Sequence, residues 1–212
     1  MPVKYLEELS NVAMYGLWEI TESPQELLAQ IKLTDSELEQ YQTFTNHTRR
    51  THWLSYRALL KQMVPNETFT LCYDAHGKLF VAENTFQLSV SHSGKYSAAI
   101  MHRNKSVGID IERIANRIVR IKDRFLSAQE VDEMQFDTSN SALTGYWCAK
   151  EALYKYYGKE GLDFRKNLRI EPFLLGRDSK IIGHICSGTI NESLTLKYRL
   201  IDDYLMVYIV HE

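Results

Sequence analysis

The chain has 212 residues, 44% of them hydrophobic and 25% charged, the composition of an ordinary globular protein with room for one large domain or two small ones. A formal net charge of −2 argues against a general nucleic-acid binder, which would be strongly basic. The longest apolar run, seven residues from Tyr204 to Val210, is far below the ~20 that cross a bilayer, and Glu7, Glu8 and Glu19 stand where a signal peptide would be basic and then apolar, so a cytoplasmic protein is expected.

Ser23-Pro24-Gln25-Glu26 predicts a helix start, with Ser as N-cap, Pro at the first position and Glu three residues after the cap. Thr34-Asp35-Ser36-Glu37 repeats the signal for a helix to about Phe44, and a third helix is expected from about His47 to Met63, closed by Pro65 and Asn66. Period-two segments follow at Phe69–Tyr73, Phe86–Val90, Ser97–Met101 and Val107–Ile111, with a turn at Asp74–Lys78. Ser127-Ala128-Gln129-Glu130 is a further capping box. A strong helix spans about Ser141 to Tyr157, stopped by Gly158, and the remainder from Leu168 to Val210 reads as three or four strands.

Helix, strands, helix, strands predicts an α+β fold in two similar halves, each with a helix packed on an antiparallel sheet, divided as residues 1–104 and 105–212. Trp53 to Lys61 aligns without gaps on Trp147 to Lys155, sharing its Trp, Ala, Leu and Lys, with Arg57 opposite Glu151. A duplicated half would make a pseudo-twofold intramolecular dimer with its site in the cleft; the plainer explanation is that two amphipathic helices draw on the same residues. Cys72, Cys148 and Cys186 are widely spaced without a CxxC pair, so free buried thiols are expected.

The basic residues cluster at Arg49, Arg50 and Arg57, at Arg113 to Arg124, and at Lys150, Lys155 and Lys159, which suits a small polyanion or an acidic protein partner. In Val107 to Glu112, alternation buries Ile109 and Ile111 and projects Asp110 and Glu112 from the other face. Adjacent carboxylates repel unless a cation or proton intervenes, and hard oxygen donors suit Mg²⁺, although a solvated strand edge would look the same. Trp147, Glu151 and Lys155 form one stripe of the late helix; Glu151 is then a third metal carboxylate, a base, or simply a partner for a lysine, and spacing alone does not decide. Ser89-Val90-Ser91-His92-Ser93-Gly94 carries small donors into a strand end, where they suit an anion. A Ser-His hydrolase is disfavoured, because neighbours on a strand point to opposite faces and no G-x-S-x-G elbow is present.

Gly108-Ile109-Asp110-Ile111-Glu112, followed by Trp147-Cys148-Ala149-Lys150-Glu151-Ala152-Leu153-Tyr154-Lys155, resembles the paired signature of 4′-phosphopantetheinyl transferases, and Ser89 to Ser93 fits the serine-histidine segment of that family. The resemblance runs from about Arg49 to Gly158, and length and apparent duplication are similar to the larger surfactin-synthetase type, a monomer of two like halves. It implies Mg²⁺-dependent transfer of the phosphopantetheine arm of coenzyme A to a serine of an acidic apo acyl or peptidyl carrier protein, releasing 3′,5′-ADP.

By the same resemblance Asp110, Glu112 and Glu151 are the metal acids, with Glu151 also the base, acting directly or through water. Lys150 and Lys155 go to phosphates, Lys155 at the pyrophosphate. Ser91 and His92 contact coenzyme A phosphates, Lys78 is a nucleotide-phosphate lysine, and Arg49, Arg50 and Arg57 lie near the 3′-phosphate. Leu79 departs from the proline that often follows Gly-Lys in the family. A non-catalytic coenzyme A or nucleotide-binding module would keep the basic groups but leave three acids without a use. The segment from Arg113 to Met134, which carries Arg113, Arg117, Arg120, Lys122 and Arg124 ahead of Phe125 and Leu126, is the expected carrier dock; those last two residues are either an exposed apolar anchor or a staple for the helix capped by Ser127.

Overall fold

The computed structural model describes residues 3–67, 69–75, 77–83, 85–134, 137–177 and 180–211. Its contacts form two units, Met1–Asp74 with Leu79–Lys105, and Ala75–Lys78 with Ser106–Glu212. Among the described residues no helix is long and apolar enough to cross a membrane.

The first unit opens with a hairpin of β1 (Val3–Ser10) and β2 (Ala13–Glu19), followed by α1 (Pro24–Leu28), α2 (Asp35–Thr43) and α3 (His47–Met63). Then come β3 (Leu71–Tyr73), β4 (Leu79–Val81), β5 (Gln87–Ser93) and β6 (Tyr96–His102). The sheet order is β1-β2-β6-β5, antiparallel throughout, with β3-β4 a separate two-stranded ladder. Both predicted capping boxes form, at Ser23 with Glu26 and Thr34 with Glu37, and Asn46 caps α3 by accepting from the Arg49 N–H. Helix α3 buries Leu54, Leu59 and Leu60 in a core shared with Trp18, Leu88 and Met101. The opening hairpin was not foreseen. Strand β2 is internal to its sheet, and Tyr15 to Trp18 are buried in succession, so the period-two signal disappears.

In the second unit β7 (Ile109–Arg113) leads to α4 (Arg117–Phe125), α5 (Ala128–Glu133) and α6 (Asn140–Tyr157), then β8 (Leu168–Ile170), β9 (Ile181–Ser187), β10 (Ile190–Ile201) and β11 (Tyr204–Val210). The antiparallel sheet runs β7-β11-β10-β9-β8, which leaves β7 at an edge. Helix α6 lies on this sheet, burying Cys148, Ala149, Ala152 and Leu153 with Leu168, Ile185, Leu196 and Leu205. It ends at Gly158, whose φ of 66° is the left-handed C-cap that glycine adopts without strain. Helix α4 gave no start signal in the sequence because Asn116, helical itself, makes no side-chain cap hydrogen bond. Each unit is therefore α+β with a long helix on an antiparallel sheet, as the element pattern predicted. The thiols correct one expectation: Cys148 is buried, but Cys72 is intermediate and Cys186 exposed.

Candidate active site

Strand β7 can approach α6 closely because residue 108 has no side chain: a Cβ there would lie 1.9 Å from the Ala152 carbonyl oxygen. Two residues on, Asp110 is only 5% exposed, so the strand face is not a solvated edge. Its Oδ1 accepts from Lys155 Nζ at 2.7 Å, and the same ammonium donates to the Ile109 carbonyl at 3.0 Å. Glu112, the next residue on that face, pairs with Arg117 of α4. Burial, reinforced by the charges of Asp110 and Glu112 and opposed by Lys155, pushes the Glu151 carboxyl up to about 7. Strand and helix thus bring three acids and one lysine into a single electrostatic neighbourhood, which alternation suggested for Asp110 and Glu112 and helical spacing left open for Glu151.

The donor set fits a hard divalent cation in kind: carboxylate oxygens only, one of them pushed up to about 7 by burial and by the charges of the other two. Among the described residues no three His, Cys, Asp or Glu side chains converge as a ready ligand cluster; the two strand acids face Lys155 and Arg117. Cys148 lies beneath the acids, its thiol pushed well up by burial and by the charges of Asp110 and Glu112, which makes it a poor nucleophile.

The raised Glu151 carboxyl has a consequence for stability. The folded chain keeps a proton there that the unfolded chain releases near pH 4, so between about pH 4 and 7 stability should fall as pH rises, by up to about 3 kcal/mol. Glu151→Gln should flatten that slope, read as urea midpoints at pH 5 and pH 8. Equal midpoint shifts in the wild type and the variant would show that Glu151 does not titrate in this window.

Two expected phosphate ligands prove to be structural. Lys150 is 0% exposed and its Nζ donates to Glu130 Oε2 at 2.7 Å, the Phe125 carbonyl at 2.7 Å and the Phe164 carbonyl at 2.8 Å, so all three donors are used within the protein. Arg57 is 4% exposed: its guanidinium lies 3.3 Å from the Trp53 ring centroid, with Nε on Glu37 and Nη1 on the Tyr56 hydroxyl. Neither can reach a phosphate without leaving its core. Arg49 stays exposed over the Phe44 ring, and Arg50 lies half-buried over Tyr41.

Lys78 lies in the second unit, its aliphatic stem against Gly158, so its ammonium sits at the C-terminal end of α6, where a cation is favoured. Ser91 is buried and His92 exposed, the opposite orientations expected of strand neighbours, and the His92 ring stacks on His52. The sequence gave no sign of the part played by His52, and it placed Arg117 in the carrier dock without indicating its pairing with Glu112. Glu130 was seen only as a cap; it also accepts from Lys150 and, at 2.9 Å, from the Ile170 N–H.

A cavity of about 220 Å³ opens beside Glu112, lined by Arg113, Arg117, Ile118, Ile121, Thr144 and Trp147. A larger one, about 550 Å³, lies between Glu133 and Arg177 and shares no lining residue with the acids. Phe125 and Leu126 are 0% and 3% exposed, so of the two alternatives the packed pair is the one observed, and neither residue is an exposed anchor.

Two comparisons with known proteins bear on the family of the chain. A model of the 4′-phosphopantetheinyl transferase superfamily matches residues 106–209, which hold β7, α6 and all three acids. The chain is also similar to a protein of Aneurinibacillus migulanus named 4′-phosphopantetheinyl transferase gsp, with 29% identity over 119 residues. That match covers 50% of this chain and 49% of the relative, so the chain spans about half the length of the curated relative it matches.

Proposed function

From a chain that belongs to the 4′-phosphopantetheinyl transferase superfamily, we propose an enzyme that transfers the phosphopantetheine arm of coenzyme A to a serine of an apo acyl or peptidyl carrier protein. The observation that carries this reading is the grouping of Asp110, Glu112, Glu151 and Lys155 where β7 meets α6. Asp110, Glu112 and Glu151 would hold Mg²⁺, which when bound supplies positive charge against the pyrophosphate. Glu151 takes the proton of the carrier serine, a role matched by a carboxyl that titrates near the working pH. The serine oxygen then bonds to the β-phosphorus as the bond to 3′,5′-ADP breaks, and Lys155, with two donors on Ile109 and Asp110, turns its third to the departing 5′-phosphate of 3′,5′-ADP. Ser91, His92, Lys78, Arg49 and Arg50 are assigned to the phosphates of coenzyme A; Lys150 and Arg57, bound within their own cores, are not.

Incubation with coenzyme A, Mg²⁺ and an apo carrier protein should add the mass of one phosphopantetheine arm to the carrier, read by intact-protein mass spectrometry. Coenzyme A binding without any mass gain on acyl and peptidyl carriers would leave only a binding module.

The acidic carrier is assigned to α4. Its basic residues Arg117, Arg120 and Arg124 are exposed, and Ile118, Ile121 and Trp147 of the adjoining cavity supply the apolar contact that Phe125 and Leu126 cannot. Arg117→Glu combined with Arg120→Glu should raise KM for the carrier, flatten its salt dependence and leave KM for coenzyme A unchanged. An unaltered carrier KM in a folded double variant would place the dock elsewhere.

A further inference from the structure

We propose that His52 is a positioning residue that holds the His92 imidazole in the plane in which it meets a phosphate of coenzyme A; the proposal rests on the coenzyme A reading of His92 given above. His52 stands on the second turn of α3 and is 8% exposed. Its Nε2 lies 2.8 Å from the Gly94 carbonyl oxygen, and since a carbonyl only accepts, Nε2 carries the proton. Gly94, with φ of 52°, lies in the two-residue turn between β5 and β6, just beyond the Ser93–Tyr96 pair. Nearly one turn further along α3, the Ser55 and Ser97 hydroxyls meet at 2.7 Å, both fully buried. These two contacts fix the helix face to the end of the hairpin.

His92 sits beside that turn, its side chain exposed, and its ring lies on the His52 ring with centroids 4.3 Å apart and planes 16° from parallel. A surface side chain ordinarily exchanges among rotamers, and ordering it on ligand binding weakens affinity. Stacking on a ring that is itself buried and hydrogen-bonded restricts those rotamers before the ligand arrives. His52 would therefore act on affinity for coenzyme A without touching it, and would leave the acids on β7 and α6 to set turnover.

The test is calorimetric binding of coenzyme A and dephospho-coenzyme A to the full chain, with kcat measured at saturation and thermal melts as a fold control. His52→Ala should weaken coenzyme A about fivefold, on the scale of one lost ring stack, with kcat within about twofold of wild type. His52→Phe, which keeps a ring face, should restore binding to within about twofold. His92→Ala should weaken coenzyme A more than dephospho-coenzyme A, and His52→Ala should shift that preference in the same direction. Normal binding in His52→Ala beside weakened binding in His92→Ala would overturn the positioning role. Equal losses in His52→Ala and His52→Phe would overturn the stack as its means. Normal binding in His92→Ala would remove the premise, leaving the assignment of the acids standing.

Discussion

Lys150→Met should destabilise the second unit by about 3–5 kcal/mol, the loss typical of stranding one member of a buried ion pair. Lys150 and Glu130 are both 0% exposed, and together they tie α5 and α6 to three further pieces of chain. The ammonium reaches the last residue of α4 at Phe125 and the loop carbonyl of Phe164. The carboxylate caps α5 through Ser127 and takes the Ile170 N–H of β8. Burial lowers the Lys150 pKa while Glu130 opposes the shift. Removing the ammonium leaves a carboxylate without a counter-charge and two carbonyls without a donor, each costing its own desolvation. Urea denaturation measures the loss, and Lys150→Met with Glu130→Gln should lose less than the sum of the single variants. A folded Lys150→Met chain of normal stability with weakened coenzyme A binding would return this lysine to the phosphates.

Asp110→Ala, Glu112→Ala and Glu151→Ala should each lower turnover at least about a hundredfold, the scale of one strong electrostatic contact removed from a charge-developing step. Asp110 also holds Lys155 in place, and Glu112 restrains Arg117, so those two deletions each free a cation as well as removing an acid. Binding of Mg²⁺ to the folded wild type should raise its Tm in proportion to the logarithm of metal concentration, and the three variants should lose that rise. Near-normal, Mg²⁺-dependent turnover in Asp110→Ala and Glu112→Ala would dismiss the metal assignment; loss of turnover with an intact Tm response would confine these acids to proton transfer and orientation.

Much of this architecture was legible because its signals are local. The Ser23, Thr34 and Ser127 boxes are spelled within four residues each, and Gly158 marks the end of α6 by itself. The pairing of Asp110 with Glu112 follows from alternation alone. What stayed hidden depends on partners far along the chain. Lys150 and Glu151 are neighbours in sequence, yet the first points into the core toward Glu130 while the second remains only partly covered, and no spacing rule says which side of α6 faces inward. Arg57 occupies the position aligned with Glu151, but Trp53 and Glu37 capture it. Strand β2 was invisible because an internal strand reads as a continuous apolar run.

The approach of β7 to the Ala152 carbonyl implies that the spacing between the strand acids and the helix acid is set by an atom that is missing. A methyl group at position 108 would act as a wedge, levering the edge strand outward while leaving every acid and lysine in the sequence. Such a chain would retain each group's chemistry and lose their conversation: Glu151 would drift back toward the ordinary carboxylate range as its burial lessened and the charge of Asp110 receded. The glycine is thus the gauge block of the site, setting a distance to which it contributes no chemical group.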